Sequence, residues 1–159
     1  MMITLPLEPR ILQSLDLSPV QGLIETWQHE GKLLQQEHSL QFQIQIPREP
    51  DDPRELSEIP EVRLWFVRLD AVYPWFPFLL DWQGGELARY TAMLVPHQFH
   101  RTEGIQFNPE ALEIFVMHKI FTLAAWFKTQ GIPGTFRLKS LAQLLGYELE
   151  ETFLRQFTD

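Results

Sequence analysis

A long apolar helix, predicted to begin at Asn108-Pro109-Glu110, most constrains what this chain can fold into. Asn108 is a favoured N-cap, Pro109 fits the first helical position, and Glu110 meets the positive end of the helix dipole. Gly131 supplies a stop, so we predict a helix to about Gln130. At 100° per residue its polar stripe is narrow and contains His118, Lys119 and Thr122. A helix that is apolar over most of its surface needs covering, so we predict a central position, against a sheet and other helices.

Three further helices are predicted from caps and apolar spacing. One starts at Ser18-Pro19 and ends at Gly31. A second covers about Leu138 to Leu145, and a third about Glu150 to Gln156.

Three segments are predicted as strands. Leu40 to Ile46 alternates apolar residues with glutamine, which is typical of a strand packed on one face. Val62 to Leu69 and Leu87 to Val95 are the other two, and Gly84-Gly85 between them is predicted to be a turn. We therefore predict an α+β fold in which a small antiparallel sheet of about three strands packs against the long helix and several shorter ones.

Length and composition narrow the functional classes. The 159 residues predict a single domain, 1–159. The net charge of −8 disfavours a nucleic-acid partner, since phosphates would be repelled. The absence of cysteine excludes disulfides, thiolate metal sites and a cysteine nucleophile. We expect no signal peptide, no transit peptide and no membrane insertion, and hence a cytoplasmic location.

A Pro-rich acidic segment, residues 47–61, carries half of the net charge. It holds six acidic and two basic residues, a net −4. The simplest interpretation is an exposed, solvated loop with one helical turn near Arg54 to Glu58. The alternative is an electrostatic contact with a basic partner, for which Asp51 and Asp52 are the candidates.

An aromatic run from Tyr73 to Trp82 is broken by Pro74 and Pro77. We expect core or core-edge packing for most of its rings. Because prolines favour an irregular turn, some rings are expected to stay exposed, and Trp75 and Phe76 are the candidate interface anchors.

The densest polar cluster lies between Pro96 and Gly104. His97, His100 and Glu103 are spaced three residues apart, and two histidines with a carboxylate can bind zinc or ferrous iron. A metal-dependent enzyme using these three residues is therefore the alternative function. The cluster is also explained as backbone satisfaction in a strand-to-helix loop, or as a binding surface in which His100 and Arg101 grip a partner's carboxylate.

Glu113 is predicted to fall on the apolar side of the long helix. A buried carboxylate needs a partner, so we expect an ion pair with Arg101 or Arg89. An acid–base role is the alternative and would require a pocket. Neither a glycine-rich phosphate loop nor a Gly-x-Ser-x-Gly elbow occurs in the sequence.

Long stretches of the sequence resemble a known family. They are DDPRELSEIPEVRLWFVRLDAVYPWFPFLLDW, GELARYTAMLVPHQFHRTEGIQFNPEALEIFVMHK, LDLSPV near the N-terminus and LAQLLGYELEETF near the C-terminus. Over about residues 15–157, the chain resembles the sixth member of the chlororespiratory reduction proteins of cyanobacteria and chloroplasts.

The resemblance implies a non-enzymatic assembly factor for the hydrophilic arm of the photosynthetic NADH dehydrogenase-like complex. The partner it implies is the ferredoxin-like iron–sulfur subunit. It implies no cofactor and supplies no catalytic residue. A factor of this kind needs a binding surface, and transient interfaces are typically polar with a few aromatic or arginine anchors.

Overall fold

The computed structural model describes residues 1–81 and 83–159. The chain divides into two compact units, Met1–Leu94 and Val95–Asp159, and each is described by itself. The single domain expected for 1–159 stays a prediction. No helix in the described ranges is long and apolar enough to cross a membrane.

The first unit combines a two-stranded parallel sheet with short helices. Strand β1 pairs with β2 in register, from Ile3 opposite Leu40 to Leu7 opposite Ile44. Two 3₁₀ turns, Leu33–Gln36 and Leu56–Glu58, lie in the connections. The elements are β1 (Ile3–Leu7), α1 (Pro9–Ser14), α2 (Ser18–His29), β2 (Leu40–Ile44), α3 (Pro60–Val72), α4 (Phe76–Leu79) and α5 (Glu86–Leu94).

The core of this unit is an aromatic cluster. The ring of Phe42, on β2, lies 5.3 Å from Trp65, 5.2 Å from Phe76 and 5.9 Å from Tyr90, centre to centre. Edge-to-face and tilted pairs at these distances are favourable beyond the apolar area that they bury. Tyr73, Phe76 and Phe78 of the aromatic run are therefore core and Trp75 is partly buried, as expected, whereas Trp82 lies outside the described residues.

The strand predicted at Val62 to Leu69 is wrong, because this segment forms α3. Its buried side chains follow the spacing of a helical stripe, and they are Val62, Trp65, Phe66 and Leu69. Leu64, which a strand burying Val62 and Phe66 would also have buried, is 53% exposed. A nearly continuous apolar run is compatible with both the helical period of 3.6 residues and the strand period of two. Pro60 in the first turn favours the helix.

The strand predicted at Leu87 to Val95 is also wrong. Residues Glu86–Leu94 form α5, which buries Leu87, Tyr90 and Thr91 at helical spacing. The turn predicted at Gly84-Gly85 is confirmed, and Gly85 takes a positive φ of 88°. That conformation suits glycine, which has no Cβ to clash.

The second unit consists of an antiparallel hairpin followed by three helices. The predicted long helix is confirmed: the Asn108 side chain accepts a hydrogen bond of 3.0 Å from the Ala111 N–H, and Gly131 ends the helix with a φ of 68°. Val116, Ile120, Leu123, Ala124 and Phe127 form its buried face. The elements are β3 (His97–His100), β4 (Gly104–Phe107), α6 (Pro109–Gln130), α7 (Thr135–Leu144) and α8 (Glu151–Thr158).

The α+β class is confirmed, and the three-stranded sheet proves only approximate. The described residues form two sheets of two strands each, one parallel and one antiparallel. Of the three predicted strands, Leu40 to Ile46 is the one that the structure retains, as β2.

Candidate functional site

The polar cluster predicted as a loop is an exposed hairpin. Residues His97–His100 pair with Gly104–Phe107, so that Phe99 lies opposite Ile105. The segment was predicted as a strand-to-helix loop because Pro96 precedes it. The turn at residues 101–103, followed by Gly104 with a φ of 76°, allows the chain to reverse instead.

His100 stabilises the turn of this hairpin. Its Nδ1 accepts hydrogen bonds from the backbone N–H groups of Thr102, at 3.4 Å, and Glu103, at 3.3 Å. Nδ1 is therefore the acceptor of the turn. His100 thus provides a hydrogen-bond acceptor for backbone N–H groups, which was one of the three interpretations of the cluster.

The three residues of the metal hypothesis are engaged separately. His97 Nδ1 donates to the Val95 carbonyl at 3.0 Å, and the Glu103 carboxylate accepts from the Gln106 amide. Residues 97 and 100 are three apart on a strand, so they point to opposite faces. No group of three potential metal ligands occurs among the described residues. The metal-dependent enzyme therefore has no support in this geometry.

A shallow cavity lies at the base of the hairpin. Its volume is about 370 Å³, and it is lined on one side by Pro96, His97 and Gln98 and on the other by residues 106–109. The Asn108 N–H donates to the Pro96 carbonyl at 2.8 Å and so closes the base. The cavity brings together one imidazole and three amide side chains, and no hydroxyl, thiol, amine or carboxylate side chain lines it.

The tip of the hairpin presents a cation beside apolar side chains. Arg101 is exposed and has no ion-pair partner among the residues that the structure describes. Phe99 is 67% exposed and Ile105 40% exposed, and the two are cross-strand neighbours. An unpaired guanidinium two residues along the chain from an exposed aromatic ring suits contact with a protein carrying a carboxylate.

Phe99 and Ile105 were missed by the sequence analysis. The available signal was the spacing: two short segments containing apolar residues are separated by the polar residues 101–103, which Gly104 follows. Such spacing is typical of a hairpin, and a hairpin would have placed the two side chains opposite each other.

The acidic segment is largely exposed, and its two candidate residues differ. Asp51 is exposed, whereas the Asp52 carboxylate accepts from Arg54 Nη2 at 2.8 Å and from the Arg54 backbone N–H at 3.0 Å. These hydrogen bonds lower the pKa of Asp52 to about 2. Asp52 therefore organises the loop, while Asp51 faces solvent.

The two candidate aromatic anchors also differ. Phe76 is only 2% exposed, and its ring lies in the Phe42 cluster, so its expected availability to a partner is corrected. The prolines were expected to produce an irregular turn with exposed rings. Instead, a short helix, α4, starts at Phe76, and the Phe76 ring is buried. Trp75 is half-buried, with its ring 5.4 Å from that of Tyr73.

Glu113 is exposed, so its predicted burial and ion pair are wrong. Arg89 pairs instead with Glu86 at 3.1 Å, and Glu113 has no ion pair within the described part of the chain. Lys119, predicted on the polar stripe, is in turn only 1% exposed. The solvent-exposed side of α6 therefore includes Glu113 and excludes Lys119, which is the reverse of the prediction.

Comparison with known proteins gives a family for the chain. No solved structure matches it. The family model described as Chlororespiratory reduction 6 matches residues 7–156 of the 159. Such membership is consistent with a part in assembling the NADH dehydrogenase-like complex. Because the match extends over nearly the whole sequence and includes both the hairpin and the long helix, the chain belongs to the Chlororespiratory reduction 6 family.

Proposed function

We propose that this protein is a non-catalytic assembly factor for the hydrophilic arm of the photosynthetic NADH dehydrogenase-like complex. The observation that carries the proposal is the family match over residues 7–156. The geometry supports it, because the hairpin offers an exposed contact surface, while the imidazole of His100 is engaged in holding the turn.

The partner we propose is the ferredoxin-like iron–sulfur subunit of that arm. The chain has no cysteine, so it offers no thiolate that would compete for the subunit's cluster. A chaperone of such a subunit acts by covering surface that is buried only in the finished complex, and that task needs shape and charge.

The hairpin tip is the contact we favour, with His100 and Arg101 next to the exposed Phe99. Asp51, exposed in the acidic segment, is a second charged contact, and Trp75 is the half-buried aromatic candidate. Asp52 acts indirectly, by holding the acidic segment through Arg54. An exposed charge at the edge of an interface, such as Asp51, mainly affects the rate of encounter and the specificity of binding.

Affinity purification of the tagged protein from a cyanobacterial lysate tests the proposal. We expect the iron–sulfur subunit, identified by mass spectrometry, to be recovered with the wild type. We expect Arg101→Glu to reduce its recovery about tenfold, since the change reverses the charge of an exposed anchor. Arg68→Glu, at an exposed position on α3, is the matched control and should leave recovery unchanged.

A deletion strain supplies the complementary measurement. Loss of the gene should leave the hydrophilic arm incomplete on native gels. Normal assembly in that strain, together with failure to recover the subunit, would contradict the proposed function. Equal losses with Arg101→Glu and Arg68→Glu would instead contradict the hairpin as the contact.

A further inference from the structure

The long helix α6 has a second apolar face, which the described chain leaves open. Ile114 is 70% exposed and Phe121 45% exposed, while Met117 between them is partly exposed. These positions recur at intervals of three and four residues, the spacing of a helix–helix seam. A helix that is apolar on two faces is normally covered on both, and here one cover is missing.

Aromatic side chains of α8 widen this open face. The ring of Phe121 lies 4.9 Å from that of Phe157 and 6.5 Å from that of Phe153. Both α8 rings are partly exposed. The apolar strip on α6 thus continues sideways into an aromatic patch and is contiguous, whereas single scattered apolar residues need no explanation.

Unpaired charges of opposite sign lie at the two ends of the strip. Glu110 is exposed near the start of α6, and Lys128 is exposed near its end. Within the described ranges neither has an ion-pair partner. At 100° per residue both project from the same side of the helix as Phe121, and at 1.5 Å per residue they lie about 27 Å apart.

This order of residues is complementary to itself when reversed. In two antiparallel copies of α6 centred near residue 119, Glu110 of one copy faces Lys128 of the other. Met117 then faces Phe121, and the large Ile114 lies within one residue of the level of the small, exposed Ala125. A twofold axis repeats every such contact, so one face supplies both halves of the interface.

We propose that α6 mediates a symmetric antiparallel homodimer, in which Ile114, Met117 and Phe121 form the seam and Glu110 pairs with Lys128 at each end. This self-association is independent of the proposed assembly function. A single pair of helices buries less than a standard interface, so the dimer is expected to be weak, with a dissociation constant of about 10–100 µM.

Sedimentation equilibrium of the full chain, from about 1 to 500 µM, tests the dimer. Glu110→Lys and Lys128→Glu should each raise the dissociation constant about tenfold, because each creates two like-charge contacts. The double variant, Glu110→Lys with Lys128→Glu, should return to within about threefold of the wild type. Ile114→Asp should abolish dimerisation over this range.

Controls separate association from folding. Each single charge reversal on α6 opposes the helix dipole, so the losses of folding stability should add in the double variant. Dimer affinity, in contrast, should be restored in the double variant. Far-UV circular dichroism checks that each variant is folded. Leu64→Asp, at an aliphatic position on α3 that is also exposed, should leave association unchanged.

Three results would overturn the homodimer. They are a monomer at every concentration, a double variant no tighter than the single ones, or equal weakening by Leu64→Asp and Ile114→Asp. A monomeric wild type whose Ile114→Asp variant no longer recovers the iron–sulfur subunit would assign the strip to a different protein partner.

Discussion

At the scale of single residues, Lys119 has the least ordinary environment. Its side chain is 1% exposed, and Nζ lies 5.9 Å from the centre of the Phe115 ring. Burial lowers the pKa of this amine to about 7 from an ordinary value of 10.5, because an apolar surrounding disfavours the charged form. A residue placed on the polar stripe by its chemistry is therefore part of the interior.

The lowered pKa of Lys119 predicts a pH-dependent stability. Below pH 7 both the folded and the unfolded chain carry the proton, so the folded state bears the cost of burying a charged amine. Between pH 7 and 10.5 the unfolded chain binds more protons, so the free energy of unfolding rises with pH, by up to about 1.4 kcal/mol per unit. Above 10.5 the penalty is gone.

Lys119→Met removes this titration. We expect the variant's free energy of unfolding, relative to the wild type, to be more favourable at pH 6 than at pH 10, by about 1–3 kcal/mol. Urea denaturation at several pH values measures the difference. Lys32→Met, at an exposed position, should show no such trend, and a pH-independent difference for Lys119→Met would contradict the buried amine.

At the scale of elements, the connection from α6 to α7 depends on close packing at Gly134. A Cβ on this residue would lie 2.7 Å from Cδ2 of Phe127, a buried ring on α6. The backbone of α7 can approach α6 closely because glycine stands at its N-cap. The close approach of α7 to α6 at this point thus depends on the absence of a Cβ at Gly134.

Gly134→Ala should therefore destabilise the protein by about 1–3 kcal/mol, since Phe127 must move. Gly22→Ala is the matched comparison, because Gly22 lies inside α2 with open space around it. There the same change should stabilise by about 0.5–1 kcal/mol through higher helix propensity. Thermal unfolding of both variants checks the opposite signs, and equal effects would contradict the close contact.

At the scale of the whole molecule, an aromatic cluster in the first unit joins residues from distant parts of the sequence. Tyr90 Oη donates to the Phe42 carbonyl at 3.4 Å, and burial raises the pKa of this hydroxyl. Phe66 lies 4.3 Å from Tyr90, ring to ring. This cluster ties β2, α3, α4 and α5 together, so we expect it to dominate the stability of the unit.

Phe76→Ala should cost about 3–5 kcal/mol of stability, because it leaves a cavity inside this cluster. Phe136→Ala, where the ring is 77% exposed, should change stability by less than about 0.5 kcal/mol. Chemical denaturation of the two variants gives the comparison. A small loss for Phe76→Ala would indicate that its ring is not part of the core.

The sequence by itself determined features that depend on neighbouring residues. The ends of α6 at Asn108 and Gly131 follow from a side-chain cap and a left-handed glycine, both formed within a few residues along the chain. Family membership is likewise a property of the order of residues. Helix caps and sequence resemblance could therefore be read before any packing was known.

Only the tertiary structure decided the choices that depend on distant neighbours. Residues 62–69 and 87–95 are apolar enough to satisfy either period, and burial against the aromatic cluster selected the helix. The exposure of Glu113, the burial of Lys119 and the open strip at Phe121 depend on which sides of α6 are covered. The physical reason is that burial is a relation between elements, and one helix's pattern does not specify which of its apolar faces its neighbours will cover.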